Sequence, residues 1–459
     1  MRVLLVSRYV QPGIRGANAN VYRQARSLMI DHGLDVEILT WPFNDLWSGP
    51  VPDKVAGRAI PPTRFISADL TYHVINPPDE WNERVPRPAI WDEAVKFGVS
   101  VLEALRPDLV HLHHWFGLWW ILESAQRLGI PTVYTNHDWG MACLRTILVM
   151  GDGSLCDGSL SIEKCARCIY EGRGFLGKVN ELVAETVVGR FLIEAAYRSP
   201  LRGFFQRHEA VRLPVRERVH LNLLRAKGVL SRLEAMFTPS HFGRAFFVRL
   251  GVPEDRIRVL PWYHDPGRIE KTVSSSQPFT MTYIGRVSPE KGVHLVFEAL
   301  KRVRTAEPIH LRVAGANSSP YCIALKREFA CQVGQHAVEW LGWSDPEPLL
   351  LSTHVTVIPS LWIDNVPLAL IEALSYRVPV IATRVPSIEE LILDGENGYL
   401  AEYNSIESLA AAIQRAVADK QRICSGTMHF PRIMTCREYT EIVKRAYVEI
   451  LRKNARHLD

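Results

Sequence analysis

Four charged residues in the second half of the chain have the types and spacing to hold a diphosphate and the hydroxyl groups attached to it. Arg286 and Lys291 lie in the run Tyr283-Ile284-Gly285-Arg286-Val287-Ser288-Pro289-Glu290-Lys291-Gly292, and Asp364 and Glu372 lie in the stretch from Val357 to Leu374. Two fixed positive charges suit a diphosphate, and two carboxylates accept hydrogen bonds from hydroxyls. Hydroxyl-rich plus diphosphate describes a nucleotide sugar. A second group is imidazole: His111, His113 and His114, followed by His137-Asp138. A third is Cys143, Cys156, Cys165 and Cys168. Its Cys-x-x-Cys end is the spacing that lets two thiolates reach one zinc, and two more cysteines complete a tetrahedron for a structural metal. Ordinary reduced thiols and a redox pair are the other readings of the same spacing.

Each group needs a backbone that presents it. Ahead of Asp364 a β-branched run stops at Pro359-Ser360, an acidic loop follows, and a helix then opens with Asn365 as its expected N-cap and Pro367 in its first turn. Such a loop lies at the carboxyl end of a strand, where open parallel sheets bind ligands. The helix N-terminus offers N–H groups to an anion. Gly285 permits the close turn that the other loop requires. Solvated acids beside a capped core helix are the plain alternative.

Strand and helix signals alternate through both halves, so the fold class is α/β. In the first half, strands are expected at 3–7, 35–40, 109–112, 132–136, 236–239 and 257–260, and helices at 19–32, 90–105 and 118–128. Residues 41–87 carry little periodic signal. Gly16 stands between the first strand and its helix, but the loop lacks a full G-x-G-x-x-G and does not indicate a dinucleotide site. The histidines fall at strand ends, where such folds keep their sites. In the second half, strands are expected at 279–284, 310–314, 337–341, 355–359 and 378–383, and a last amphipathic helix at 437–451. The expected organisation is an N-terminal domain over 1–262, a linker over 263–277, a C-terminal domain over 278–434 and a terminal helix over 435–459.

Composition narrows the function classes. A net charge of +5 on 459 residues is mild and argues against a nucleic-acid partner, which needs a clustered basic face. No run approaches the roughly 18 apolar residues of a membrane span. The start, Met1 to Ser7, is too short for a secretory signal core, so a cytoplasmic location is expected. Residues 172–232 are helical in pattern and basic, with Arg198, Arg202, Arg207, Arg212, Arg216, Arg218 and Arg225. They form either a solvated face or a surface for anionic headgroups or a diphosphate-linked acceptor, with peripheral membrane contact. Trp115, Phe116, Trp119 and Trp120 read as core and cleft wall, with a hydrophobic lip as the second reading.

The ordered motifs resemble those of the retaining GT-B glycosyltransferases of family 4, the glycosyl transferases group 1. The resemblance rests on Gly285-Arg286 with Pro289-Glu290-Lys291-Gly292, on Pro359-Ser360 with Asn365 and Glu372-Ala373, and on Pro379-Val380-Ile381-Ala382 before Asp394-Gly395 and Gly398. Gly16 and His137-Asp138 extend it over nearly the whole chain. It implies two Rossmann-like domains facing across a cleft, the donor mainly on the second and the acceptor on the first, with the terminal helix crossing back. By that analogy Arg286 and Lys291 hold the diphosphate, Glu372 binds ribose hydroxyls, and Asp364 takes the first place of an E-x7-E pair against the sugar. Gly16, Gly285 and the backbone around Asn365, Val366 and Pro367 complete the donor site, and His137 sits over the reacting sugar. The resemblance further implies a UDP- or GDP-linked donor, a hydroxyl acceptor that is free or lipid-linked, transfer with retention, and no catalytic metal or other cofactor.

Some positions depart from the pattern. Asp364 is one methylene shorter than the usual Glu, a loss of roughly 1.5 Å in reach. Ser375-Tyr376-Arg377 replaces small residues and a glycine after the helix, so a different turn is expected there. Arg384-Val385-Pro386-Ser387 and Leu260-Pro261-Trp262-Tyr263-His264-Asp265 also lack the usual glycine-containing sequences. A nucleotide-sugar epimerase of the same fold and a non-catalytic binding protein with a degenerate site are the alternatives left open.

Overall fold

Short apolar runs separated by turn formers become the buried strands of two sheets. In the computed structural model, all residues are described except 9, 11–16, 42–62, 68, 79–80, 82–87, 115–117, 173–185, 187, 189–213, 268–271, 316–317 and 456–459. They form two units: Met1–Thr238 with Gly243–Val259 and Thr440–Asp459, and Pro239–Phe242 with Leu260–Tyr439. The two mixed sheets with flanking helices correspond to the two Rossmann-like domains of the GT-B architecture.

Unit 1 holds strands Arg2–Val6 (β1), Asp35–Thr40 (β2), Thr63–Ser67 (β3), Leu70–Val74 (β4), Leu109–Leu112 (β5), Thr132–Thr135 (β6), Ala235–Thr238 (β7) and Ile257–Val259 (β8). Their order in the sheet is β3-β4-β2-β1-β5-β6-β7-β8. Every neighbouring pair is parallel except β3 with β4. A parallel sheet is covered on both faces, which is why Val3, Leu4, Leu5 and Val6 are all buried rather than alternating. The helices used below are Ala17–Ile30 (α1), Pro88–Leu105 (α2), Trp120–Arg127 (α3), Ile162–Glu171 (α4) and Val215–Leu230 (α5). Trp119 and Trp120 are core: Trp119 meets Trp91 of α2 edge-on at 4.5 Å, and Trp120 meets Phe97 at 6.0 Å. Trp115 and Phe116 lie outside the described residues.

Unit 2 holds Phe279–Ile284 (β9), Ile309–Ala314 (β10), Gln332–Val333 (β11), His336–Gly342 (β12), Val355–Ile358 (β13), Val380–Thr383 (β14) and Gly398–Ala401 (β15), ordered β11-β12-β10-β9-β13-β14-β15. Helices Val293–Leu300 (α6), Leu368–Ser375 (α7) and Ile406–Ala418 (α8) cover it. Phe279, Met281, Val296, Phe297, Leu311 and Ile413 are among the buried residues of its core. Residues of the expected linker are fastened within this unit. The Gly267 N–H donates to the Tyr376 hydroxyl at 3.0 Å, and His264 Nδ1 meets Ser375 Oγ at 2.8 Å.

The terminal helix Cys436–Ala455 (α9) belongs to unit 1 from Thr440 onward. Thr440 Oγ1 lies 2.8 Å from Ser27 Oγ and 2.9 Å from His32 Nε2. Among the described residues, no helix is long and apolar enough to cross a membrane. In both sheets the strand order reverses beside the unit's first strand, between β1 and β5 and between β9 and β13. At such a reversal the loops diverge above and below the sheet and leave a crevice at the strands' carboxyl ends.

Candidate functional sites at the two strand-order reversals

In unit 2 the loops that leave β9 and β13 meet. Gly292 has φ of +71°, and a Cβ there would stand 1.9 Å from the Pro359 carbonyl oxygen. Glycine is required for that approach. The Leu361 N–H donates to the Glu290 carbonyl at 2.9 Å, and the Tyr403 hydroxyl donates to the Leu361 carbonyl at 3.1 Å. With the loops joined in this way, Lys291 Nζ lies 2.5 Å from the Asp364 carboxylate and 4.6 Å from the centre of the Trp362 ring. Both partners are largely shielded, at 21% and 13% side-chain exposure. An ion pair this dry is strong in geometry, and losing either partner strands a charge. The sequence assigned Lys291 and Asp364 to different parts of a ligand; the structure brings them together.

Arg286 stands apart. Its guanidinium is 65% exposed and held by Glu290 at 3.0 Å, while its carbonyl accepts the Tyr283 hydroxyl at 2.6 Å. Glu372 is half-buried on α7. The expected Asn365 cap is not formed: the N-cap is Pro367, and the helix opens at Leu368. Asn365 is instead a buried loop residue whose carbonyl accepts the Trp262 indole N–H at 3.2 Å. Pro367 has no N–H, so the helix presents the N–H groups of Leu368 and Ala369.

Val366 has φ of +61°. A β-branched residue that precedes proline has every steric reason to avoid that region, and the conformation stores strain of order 1–3 kcal/mol. After α7, Arg377 takes φ of +56°, so the turn expected to differ is the left-handed cap that glycine would make, built with arginine. Sequence reasoning missed Ser288 Oγ, Ser360 Oγ and Trp362 Nε1, buried polar atoms with no hydrogen-bond partner among the described residues. All three lie inside the two motifs, and a polyoxygenated ligand would satisfy them.

Unit 1 places imidazoles at the corresponding reversal. His113 and His114 follow β5, His137 follows β6, and Ser7 follows β1. His113 Nδ1 and His137 Nε2 are 3.1 Å apart. The His114 ring is stacked on His137 at 4.6 Å and 13°, and Ser7 Oγ lies 2.7 Å from His114 Nδ1. His111, within β5, packs 4.2 Å from His113 and is tied to Tyr447 of α9 at 2.5 Å and to Thr135 at 2.7 Å. Burial pushes His111 down to about 3, and burial with the Arg8 charge pushes His114 down to about 4. Burial and the neighbouring imidazoles hold His113 and His137 well below the ordinary histidine range. The whole set is neutral at pH 7. Gly16 lies outside the described residues.

The expected structural metal at the cysteines finds no support. Cys143, Cys156, Cys165 and Cys168 do line one cavity of about 30 Å³, between the Val149–Leu155 bridge and α4. Among the described residues, however, no group of three or more His, Cys, Asp or Glu side chains could hold a metal ion. Burial pushes the Cys165 thiol up to about 12, and the Cys168 thiol donates to the Val149 carbonyl at 3.7 Å. Both thiols belong to a small apolar pocket that Leu148, Val149, Leu160 and Ile169 also line. Of the basic stretch, Arg198, Arg202, Arg207 and Arg212 lie outside the described residues. Arg225 lies 4.7 Å from the centre of the Trp91 ring, and burial lowers it to about 10, so it is a packing residue of α5 rather than part of a solvated face.

Comparison with known proteins bears on both units. Residues 268–425 match the family described as glycosyl transferases group 1, and residues 15–159 match the glycosyl transferase 4-like domain. Over 209 residues the chain is 29% identical to the lipopolysaccharide 1,2-N-acetylglucosaminetransferase of Salmonella typhimurium, a match spanning 41% of this chain and 54% of that relative's length. It is 24% identical over 450 residues to the D-inositol 3-phosphate glycosyltransferase of Thermomonospora curvata, covering 92% of this chain and 89% of that one. Among solved structures it is similar in fold to the sucrose-phosphate synthase of Thermosynechococcus elongatus, with a TM-score of 0.58 and 16% identity over 100% and 98% of the chains. Anabaena HepE, solved with UDP and glucose, gives 0.56 and 16% over 100% and 99%.

Proposed function

The chain belongs to the GT-B glycosyltransferases with family 4-like domains, and on that premise we propose that it moves a sugar from a UDP- or GDP-linked donor to an acceptor hydroxyl with retention of configuration. Unit 2 takes the donor and unit 1 the acceptor. The observation that carries this reading is the joined pair of loops at the β9/β13 reversal, which sets Lys291 against Asp364. Lys291 binds the diphosphate, and Arg286 joins it by swinging from Glu290, since an exposed guanidinium held by one surface carboxylate is released at little cost. The cations and the first N–H groups of α7 stabilise negative charge on the departing nucleoside diphosphate. Asp364, released from Lys291 as phosphate replaces it, accepts hydrogen bonds from sugar hydroxyls, and Glu372 from ribose hydroxyls. His137 serves the sugar being transferred.

Retention follows if the incoming hydroxyl attacks the face from which the diphosphate leaves and gives its proton to a donor phosphate oxygen. One C–O bond forms, one breaks, and the proton ends on the leaving group. Incubation with UDP-, GDP- and ADP-sugars, with and without free and lipid-linked hydroxyl acceptors, tests the proposal. Acceptor-dependent nucleotide release with an unchanged anomeric configuration supports it. An isomerised sugar with no nucleotide released, or no donor binding at all, overturns it.

A further inference from the structure

The Lys291 ammonium meets two partners of different kinds, the Asp364 carboxylate at 2.5 Å and the face of the Trp362 ring, whose centre is 4.6 Å away. Both come from one tight turn. The Asp364 N–H donates to the Trp362 carbonyl at 3.0 Å across Ile363, which is buried. That turn is anchored on either side: the Leu361 N–H donates to the Glu290 carbonyl, and the Ser387 hydroxyl donates to the Asp364 carbonyl. Indole and carboxylate are therefore held as a fixed pair around one ammonium.

The two partners respond differently to a diphosphate. Carboxylate and phosphate both offer anionic oxygens, so the ligand competes with Asp364 for the protons of the ammonium. An indole face attracts the cation through its quadrupole and offers no oxygen that a phosphate can replace. When the carboxylate gives way, the ring contact stays. It then restrains a charge that sits at the end of a flexible four-carbon stem, whose rotamer freedom binding would otherwise have to remove. The indole Nε1–H is buried and has no hydrogen-bond partner among the described residues. A phenylalanine would avoid the cost of that orphaned donor, so hydrogen bonding does not account for the placing of the ring in the unliganded chain. Its face on Lys291 does.

We propose that Trp362 is a positioning residue of the donor site: its ring face keeps the Lys291 ammonium in place while a nucleoside diphosphate takes over from Asp364. The inference rests on the transferase reading for the identity of the ligand; the contact between ring and ammonium belongs to the unliganded chain.

The experiment has two arms. The first is calorimetry on the full chain with UDP and GDP carried into the millimolar range, comparing Trp362→Phe with Trp362→Leu. Both variants lose the indole N–H and only the first keeps an aromatic face, so their ratio isolates the face. Trp362→Leu is expected to bind about five- to tenfold more weakly than Trp362→Phe, as a shielded cation–π contact allows. With Lys291→Met added to each, the two are expected to agree within about twofold. Equal Kd values for the two variants with Lys291 present overturn the proposal. So does a gap of the same size with Lys291→Met, which is what a ring that only packs in the loop would give.

The second arm follows urea unfolding of the same four variants without nucleotide. A stability gap between Trp362→Phe and Trp362→Leu that shrinks with Lys291→Met is expected, and a gap of equal size in both backgrounds overturns the contact itself. If the unaltered chain binds neither nucleotide, the donor reading fails separately, and the unfolding arm still decides whether Trp362 holds Lys291.

Discussion

At the β9/β13 reversal unit 2 sets an ammonium 2.5 Å from a carboxylate, whereas at the β1/β5 reversal unit 1 stacks four imidazoles that carry no charge at neutral pH. The topology is the same in both, and it supplies only a crevice. What fills the crevice decides the chemistry. A charged pair offers a diphosphate its counter-charge at once, because phosphate oxygens can replace the carboxylate that Lys291 already has. A neutral set of rings has nothing to offer an anion, but it avoids the solvation cost of a buried charge. The two rims also differ in backbone. Unit 2 stores strain at Val366, while none of the described rim residues His111, His113, His114, Asn136, His137 and Asp138 has a positive φ. Unit 1 holds its geometry by ring packing instead.

The largest test of the contrast is Lys291→Ala. It removes the counter-charge and strands Asp364, so donor binding is expected to weaken by about 1.5–3 kcal/mol, read as a ten- to hundredfold rise in donor Kd by calorimetry. An unaltered Kd would place the diphosphate elsewhere.

Next in size is acid sensitivity, expected of the imidazole side. His111 has a folded pKa of about 3 against 6.5 for the ordinary ring. Between those values the unfolded chain binds the extra proton, so stability falls as pH drops from about 6.5 toward 3 and is flat above. Urea titrations at pH 7 and pH 5 should differ by about 2 kcal/mol from this residue alone. Equal stabilities would mean that His111 is charged or open to water.

The strained backbone comes third. Val366→Gly relieves a left-handed β-branched residue and is expected to stabilise unit 2 by about 1 kcal/mol in urea unfolding, while raising donor KM several-fold as the loop loosens. No gain in stability would mean that Val366 packing outweighs its strain. The smallest effect is expected at Arg286→Ala. Its guanidinium is exposed and shared with Glu290, so the loss in donor affinity should stay near 0.5–1 kcal/mol, a few-fold in Kd. A loss equal to that of Lys291→Ala would erase the distinction between a shielded and a peripheral cation.

The alternation of strand and helix and the presence of histidines at strand ends were legible because each is written in local spacing. Four things were not. The Lys291–Asp364 pair joins residues 73 apart in sequence, and no local pattern encodes a long-range contact. The Pro367 cap was misplaced because Asn365 has the chemistry of an N-cap but is drawn into the loop by the backbone and Trp262 contacts around it. The cysteine spacing is shared by metal sites and by reduced thiols, so spacing alone does not choose between them. The antiparallel edge pairs β3/β4 and β11/β12 were also missed, since short edge strands carry too few residues to show a period.

The close approach of Gly292 to the Pro359 carbonyl bears on how this fold can be recombined. Two segments far apart in the sequence meet with no room for even a methyl group, so a change in the backbone of one must be matched by the other. A chimera that takes the β9 loop from one parent and the β13 loop from another will accept the junction only where both parents match at this point. Donor preference is therefore better transplanted by moving the two loops together than by exchanging either alone.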